Sequence, residues 1–145
     1  MRKGLVILVC AVLIIALGCI RIFQQQLFYD PLLLFFESAY LYDASLPQLD
    51  FIKLIVHTGI RFWLNASISI VFILLLFRSS ENFKILLLIY AATFILLLTA
   101  FALVLNSYTI ELNLLLFYIR RFLIQPMLLL ILIPAFYYQR LKSSA

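Results

Sequence analysis

The stretch FIKLIVHTGIRFWLNASISIVFILLLF, residues 51–77, decides how the rest of the chain is read. It exceeds the roughly 20 predominantly apolar residues that a helix needs to cross a membrane. Its polar residues are not scattered. Lys53, His57, Arg61 and Asn65 recur every four positions, and Ser69 continues the series. At about 100° per residue such a series drifts slowly around a helix and forms a single stripe. Charged groups inside hydrocarbon cost a few kcal/mol unless they are paired or hydrated, so the stripe is expected to face protein or water.

Three further apolar segments flank this one. The first runs from Gly4 to Ile22, behind the basic start Met1-Arg2-Lys3. The third runs from Ile85 to Asn106 without a charge, and the fourth from Leu114 to Tyr138 with Arg120-Arg121 in its outer third. Pro126 and Pro134 are expected to kink the fourth. The alternative is a shorter helix from Phe122, with Leu114–Ile119 lying at the interface. Asp50 is placed to cap the second helix, and Ser80 and Glu81 suit the start of the third. Ala16-Leu17-Gly18-Cys19 echoes a lipoprotein cleavage site, but Ala16 stands where an aliphatic residue belongs. The spans that follow favour an uncleaved first helix.

The chain has 145 residues, 67% of them apolar and 12% charged. Soluble domains are near half apolar and a quarter charged. The expected fold is therefore all-α: one polytopic membrane domain over residues 1–145, with four transmembrane helices at about 4–22, 51–77, 85–106 and 114–138. The net charge of +5 does not point to nucleic acid, because no basic run exceeds two residues. It reads as a topology signal. Segments 24–50 and 107–113 hold no Lys or Arg, whereas Arg2, Lys3, Arg78, Lys84, Arg140 and Lys142 all fall on the opposite side. The positive-inside rule then puts both termini in the cytoplasm. Segment 24–50 is rich in aromatic residues. Within it, Asp30-Pro31 reads as an N-cap followed by proline at the first helical position, opening a short helix from Leu32 to Tyr40 in or dipping into the membrane surface.

The candidate interaction residues are His57, Arg61 and Asn65 on the second helix and Arg120, Arg121 and Gln125 on the fourth. Arg121 and Gln125 share a face. Five cations lie in the outer half (Arg21, Lys53, Arg61, Arg120, Arg121), and five acids lie in the outer segments (Asp30, Glu37, Asp43, Asp50, Glu111). One reading is that they pair and fold the outer segment onto the helices. Another is that the arginines bind an anionic lipid headgroup or a partner's acidic tail, since a guanidinium fork matches two oxygens. A Cys19/His57 centre with Arg61 would make a membrane cysteine protease, though no nucleophile motif accompanies it. A small lipid or solute carrier is a further reading, against which stands the lack of an acid buried in any helix. Cys10 and Cys19 would sit roughly 13 Å apart along one helix and cannot pair with each other. No CxxC or His/Cys cluster suggests a metal, and no cofactor is expected. Asn65-Ala66-Ser67 matches a glycosylation sequon but lies at mid-membrane.

Three blocks resemble one family, the small membrane proteins associated with the exosortase F system of Gram-negative bacteria. They are Leu27-Phe28-Tyr29-Asp30-Pro31, Arg61-Phe62-Trp63-Leu64-Asn65, and the stretch from Leu116 to Pro126 that continues to Ile133-Pro134-Ala135-Phe136-Tyr137-Tyr138-Gln139. Length and span layout fit as well. The resemblance implies an accessory protein of the bacterial inner membrane, working beside a cysteine transpeptidase that processes C-terminal sorting tails. Its implied partners are exosortase F or its substrates. It carries no catalytic residues over to this chain, which is also short for an exosortase core.

Overall fold

The computed structural model describes residues 3–38, 45–77 and 82–143. Their elements are α1 (Lys3–Ile22), α2 (Gln24–Leu27), α3 (Leu32–Glu37), α4 (Phe51–Phe77), α5 (Phe83–Asn106), a 3₁₀ turn (Ile110–Leu112), α6 (Asn113–Ile124) and α7 (Met127–Ser143). No strand occurs among the described residues. Three helices, α1, α4 and α5, are each long and apolar enough to cross a membrane. A fourth candidate is the bent pair of α6, with its leading 3₁₀ turn, and α7, whose axes differ by 65°.

The surface is that of a molecule built for lipid. Large apolar side chains point outward along the spans, including Leu8, Ile15, Leu88 and Leu96, each more than 60% exposed. A water-soluble protein does not tolerate so continuous an apolar exterior. On α1 no residue is fully buried. Only Cys10, Leu13 and Leu17, at helical spacing on one face, pack against the core.

The centre of the fold is α4, which touches α1, α5, α6 and α7. Its buried residues include Leu54, Thr58, Arg61, Phe62, Asn65, Ala66, Ser69, Ile70 and Ile73. The polar series read from the sequence therefore runs inward from Arg61 onward, and Ser69 closes it by donating to the carbonyl of Asn65 at 2.6 Å. Aromatic contacts hold the neighbours in place. Phe62 lies 5.0 Å from Phe94 and 6.1 Å from Tyr90 between ring centroids, and Trp63 lies 5.6 Å from Phe94. Phe36 of α3 meets Phe117 of α6 at 5.3 Å. Phe77, the last residue of α4, meets Phe136 of α7 at 6.0 Å.

Phe94 packs against α4 beside Gly59. A Cβ at position 59 would lie 3.4 Å from Cζ of Phe94, which is ordinary contact. Gly59→Ala is accordingly expected to fold with wild-type stability, whereas Gly59→Leu overpacks the α4–α5 seam and costs about 1–3 kcal/mol. Thermal unfolding of the two detergent-solubilised variants checks this; equal losses for both would mean that the seam is not close-packed.

Several sequence expectations are modified. The fourth helix is not continuous from 114 to 138. It breaks at Gln125-Pro126, and Gln125 is extended (φ −111°, ψ 149°). Proline lacks the N–H that would reach back to Phe122 and restricts the residue before it to extended backbone, which Gln125 adopts. At Pro134, by contrast, α7 runs through. The interfacial start at Leu114–Ile119 gives way to a helix already formed at Asn113, with Leu116 fully buried. The short helix opened by Asp30-Pro31 is present, but as α3 it ends at Glu37, and Leu32, Leu33 and Phe35 are buried. Tyr40 and Asp43 lie outside the described residues, as do Ser80 and Glu81. At the start of α4, Asp50 does cap: its Oδ1 accepts the N–H of Lys53 at 3.1 Å.

Candidate functional site

The segment between α1 and α4 is drawn onto the bundle by the α4 stripe, one residue at a time. Lys53 places its ammonium over the ring of Tyr29, 4.7 Å from the centroid. His57 accepts the backbone N–H of Tyr29 at Nδ1, 3.1 Å away. The hydroxyl of Tyr29 in turn accepts the N–H of Asp50 at 3.0 Å. Two positions of the stripe, Lys53 and His57, and the cap residue Asp50 thus share one aromatic residue, and Tyr29 pins the segment to the entrance of α4.

One turn deeper is an ion triad. Asp30 lies between two guanidinium groups, each from a different helix. Arg120 of α6 donates from Nη2 to Oδ2 at 2.5 Å and from Nε to Oδ1 at 3.3 Å. This is the two-pronged pairing that arginine and carboxylate geometry favour. Arg61 of α4 brings Nη1 to 3.7 Å from the same Oδ2 and donates from Nη2 to the side-chain oxygen of Gln24 in α2. All three side chains are under a tenth exposed. Each guanidinium also has an aromatic neighbour 5.6 Å away, Phe28 for Arg61 and Phe36 for Arg120. These contacts are within reach of cation–π attraction.

Asn65 acts differently. Its amide donates to the carbonyl of Ile124 at 2.9 Å. That carbonyl ends α6 just before the break, and a helix that stops leaves its last carbonyls without partners. In hydrocarbon an unpaired carbonyl is costly, so Asn65 is the cap that the break demands.

The six candidate residues therefore divide. His57, Arg61, Asn65 and Arg120 are gathered around the Tyr29-Asp30 corner and the α6 terminus. Arg121 and Gln125 do share a face, with Nε of Arg121 donating to Oε1 of Gln125 at 3.2 Å. Neither has an ion pair or hydrogen bond to Asp30 among the described residues, and Arg121 is exposed. Arg21 and Arg121 form an ion pair with no carboxylate among the described residues. Cys19 is exposed on α1, and no hydrogen bond joins it to His57 among the described residues.

Asp30 carries two sequence readings, a helix cap and one of five acids able to pair with the cations. The structure gives the second, with its carboxylate between Arg61 and Arg120. Gln24, which accepts from Arg61, was not among the candidate residues. Its spacing gives no signal of that role.

A half-open cavity of about 180 Å³ lies between the end of α1, α4 and the α6–α7 break. A second, of about 320 Å³, adjoins it on the α3 side and is lined by Arg120, Arg121 and Glu37. Arg21, Ile124 and Gln125 border both. No group of three or more potential metal ligands occurs among the described residues. Compared with protein families, with curated proteins and with solved structures, the chain matches none.

Proposed function

We propose that this chain is a non-catalytic accessory subunit of an exosortase F-type C-terminal sorting system. In this reading it sits in a bacterial inner membrane with four spans and both termini in the cytoplasm. The observation that carries it is the division of the polar residues. The stripe on α4 is engaged by the chain's own segment 24–37, which leaves the exposed outer face of α6, with Tyr118 and Arg121, to meet a partner. A cation at that depth suits the carboxylates of an exosortase or of a substrate tail. The three sequence blocks resembling the exosortase-associated family support the partner assignment. The lack of Lys and Arg in segments 24–50 and 107–113 supports the orientation. The Phe77–Phe136 contact supports counting α6 and α7 as one broken span that reaches the far end of α4.

An enzyme built on Cys19 and His57 is the competing reading, and one host strain separates the two. Deleting the gene and analysing the C-terminus of a sorted substrate by mass spectrometry is expected to reveal uncleaved tails. Complementation with Cys19→Ser is expected to restore processing, whereas Arg121→Ala is expected to restore it poorly and to lose co-purification with the exosortase. Normal processing in the deletion strain would end the accessory-subunit reading. Failure of Cys19→Ser alone would turn it into an enzymatic one.

A further inference from the structure

The sharpest anomaly in the molecule is Arg61. It is 2% exposed, yet its Nε and Nη1 are buried without a hydrogen-bond partner. Asp30, the nearest acid, is engaged in hydrogen bonds with Arg120, and its contact with Arg61 is 3.7 Å. A buried donor left unsatisfied costs about 1–3 kcal/mol, and more when charged. Arg61 lines the 180 Å³ cavity, together with Leu17, Gly18 and Arg21 of α1, Asn65, and Pro126 at the break. No acidic residue lines it.

Three independent features make this cavity electropositive. Arg61 contributes unpaired guanidinium N–H groups on one wall. Arg21, at the end of α1, contributes a second cation that has no carboxylate partner among the described residues. Pro126 immediately precedes α7, a helix of 17 residues, whose amino end carries partial positive charge. The two adjoining cavities are lined by four arginines (Arg21, Arg61, Arg120, Arg121) and one carboxylate, Glu37, while Asp30 pairs with Arg61 and Arg120. Discontinuous helices in membrane proteins commonly aim their positive ends at anionic ligands in this way.

The remaining walls say what kind of anion fits. Leu17, Gly18 and Ile20 are apolar and belong to α1, which has no fully buried residue. They lie within about one and a half turns of the end of that helix, near headgroup depth. Gly18 leaves open space where a side chain would stand. An anion arriving here passes between apolar surfaces. We infer that the cavity between α1, α4 and the α6–α7 break is a lipid site, in which Arg61 and Arg21 hold the phosphate of an anionic phospholipid while its acyl chains lie along α1. The inference is independent of the accessory-subunit reading, which rests on the outer face of α6.

Native mass spectrometry of the full chain tests it, with the protein released from nanodiscs containing equal amounts of phosphatidylglycerol and phosphatidylcholine. The expected result is preferential retention of one phosphatidylglycerol. Arg21→Gln and Arg61→Gln are each expected to reduce that preference about fivefold, the effect of one arginine near a lipid phosphate. Arg61 also touches Asp30, so Arg61→Gln is checked for folding by thermal unfolding. Arg21 is exposed, and Arg21→Gln carries the test if the other variant is unstable. Equal retention of the two lipids overturns the proposal. So does displacement of the bound lipid by inorganic phosphate at millimolar concentration, which would make the site one for a soluble anion. Unchanged preference in Arg21→Gln overturns it also. If a hydrophobic peptide ending in a carboxylate binds in place of phosphatidylglycerol, the cavity serves a protein tail and the lipid assignment falls.

Discussion

Asp30→Asn is expected to be among the most destabilising single substitutions in the chain, lowering stability by about 3–5 kcal/mol. The expectation follows from the charge count of the triad. One carboxylate, 9% exposed, neutralises two guanidiniums that are 3% and 6% exposed. Removing it leaves two buried cations facing one another with no counter-charge, and arginine does not escape by losing its proton. The asparagine keeps the shape, so the loss reports charge and not volume. Breaking the triad and deleting it are different experiments. Replacing Asp30 by Leu together with Arg61 and Arg120 by Met removes every uncompensated charge and is expected to recover most of the stability. Unfolding midpoints of the single and triple variants in the same detergent measure the contrast. An Asp30→Asn protein as stable as the parent would mean that the arginines reach water or another acid, and the triad would lose its structural role.

Asn65→Leu is expected to give the second large effect, about 1–3 kcal/mol, by leaving the carbonyl of Ile124 unpaired in an apolar interior. The cost depends on the break, and this makes it testable as a coupling. With Pro126→Ala the backbone regains an N–H and the constraint on Gln125 is lifted, so α6 and α7 can straighten and the Ile124 carbonyl can find the N–H four residues on. Asn65→Leu in that background is expected to cost less than in the parent, giving a non-zero interaction energy in a double-mutant cycle. Strict additivity of the two substitutions would show that Asn65 is not acting as the cap of α6.

Both predictions depend on contacts between residues far apart in the chain, and the sequence was unequally informative about them. The stripe Lys53–His57–Arg61–Asn65–Ser69 was legible because helical periodicity alone places those side chains on one face. The penalty for charge in hydrocarbon then turns that face toward protein. The cap at Asp50 was legible because it is a bond to the backbone three residues away. The break at Pro126 was visible as a kink, because proline's missing N–H is a local fact. Its size, 65°, was not. Pro134 carries the same local signal, and α7 passes through it.

The site was less legible. Asp30 precedes a proline, and that pattern has a strong local meaning as a helix start. The tertiary contact competed with the local one and prevailed. Pro31 stands at the head of α3 without a side-chain cap, and the carboxylate is taken up by Arg120, ninety residues away. Two desolvated guanidiniums outweigh one backbone N–H. Nothing in the spacing of Gln24 or Tyr29 marked them as partners of α4. The opposite fates of Arg120 and Arg121 could not be read either, because adjacent residues on a helix diverge by about 100° and the sequence does not say which direction faces the bundle.

The sequence by itself determined the solvent of this protein, the helical class, the approximate extent of the first three apolar helices and the inward direction of the α4 stripe. These follow from hydrophobicity and from the 3.6-residue period, both properties of neighbouring residues. Only the tertiary structure decided that Asp30 joins α4 to α6, that Asn65 caps the broken helix, and that Arg61 is left with two donors at the edge of a cavity. Those outcomes depend on which charges meet when helices pack. In a medium without water each buried charge must find a partner within a few ångströms, and that is set by geometry across the whole chain.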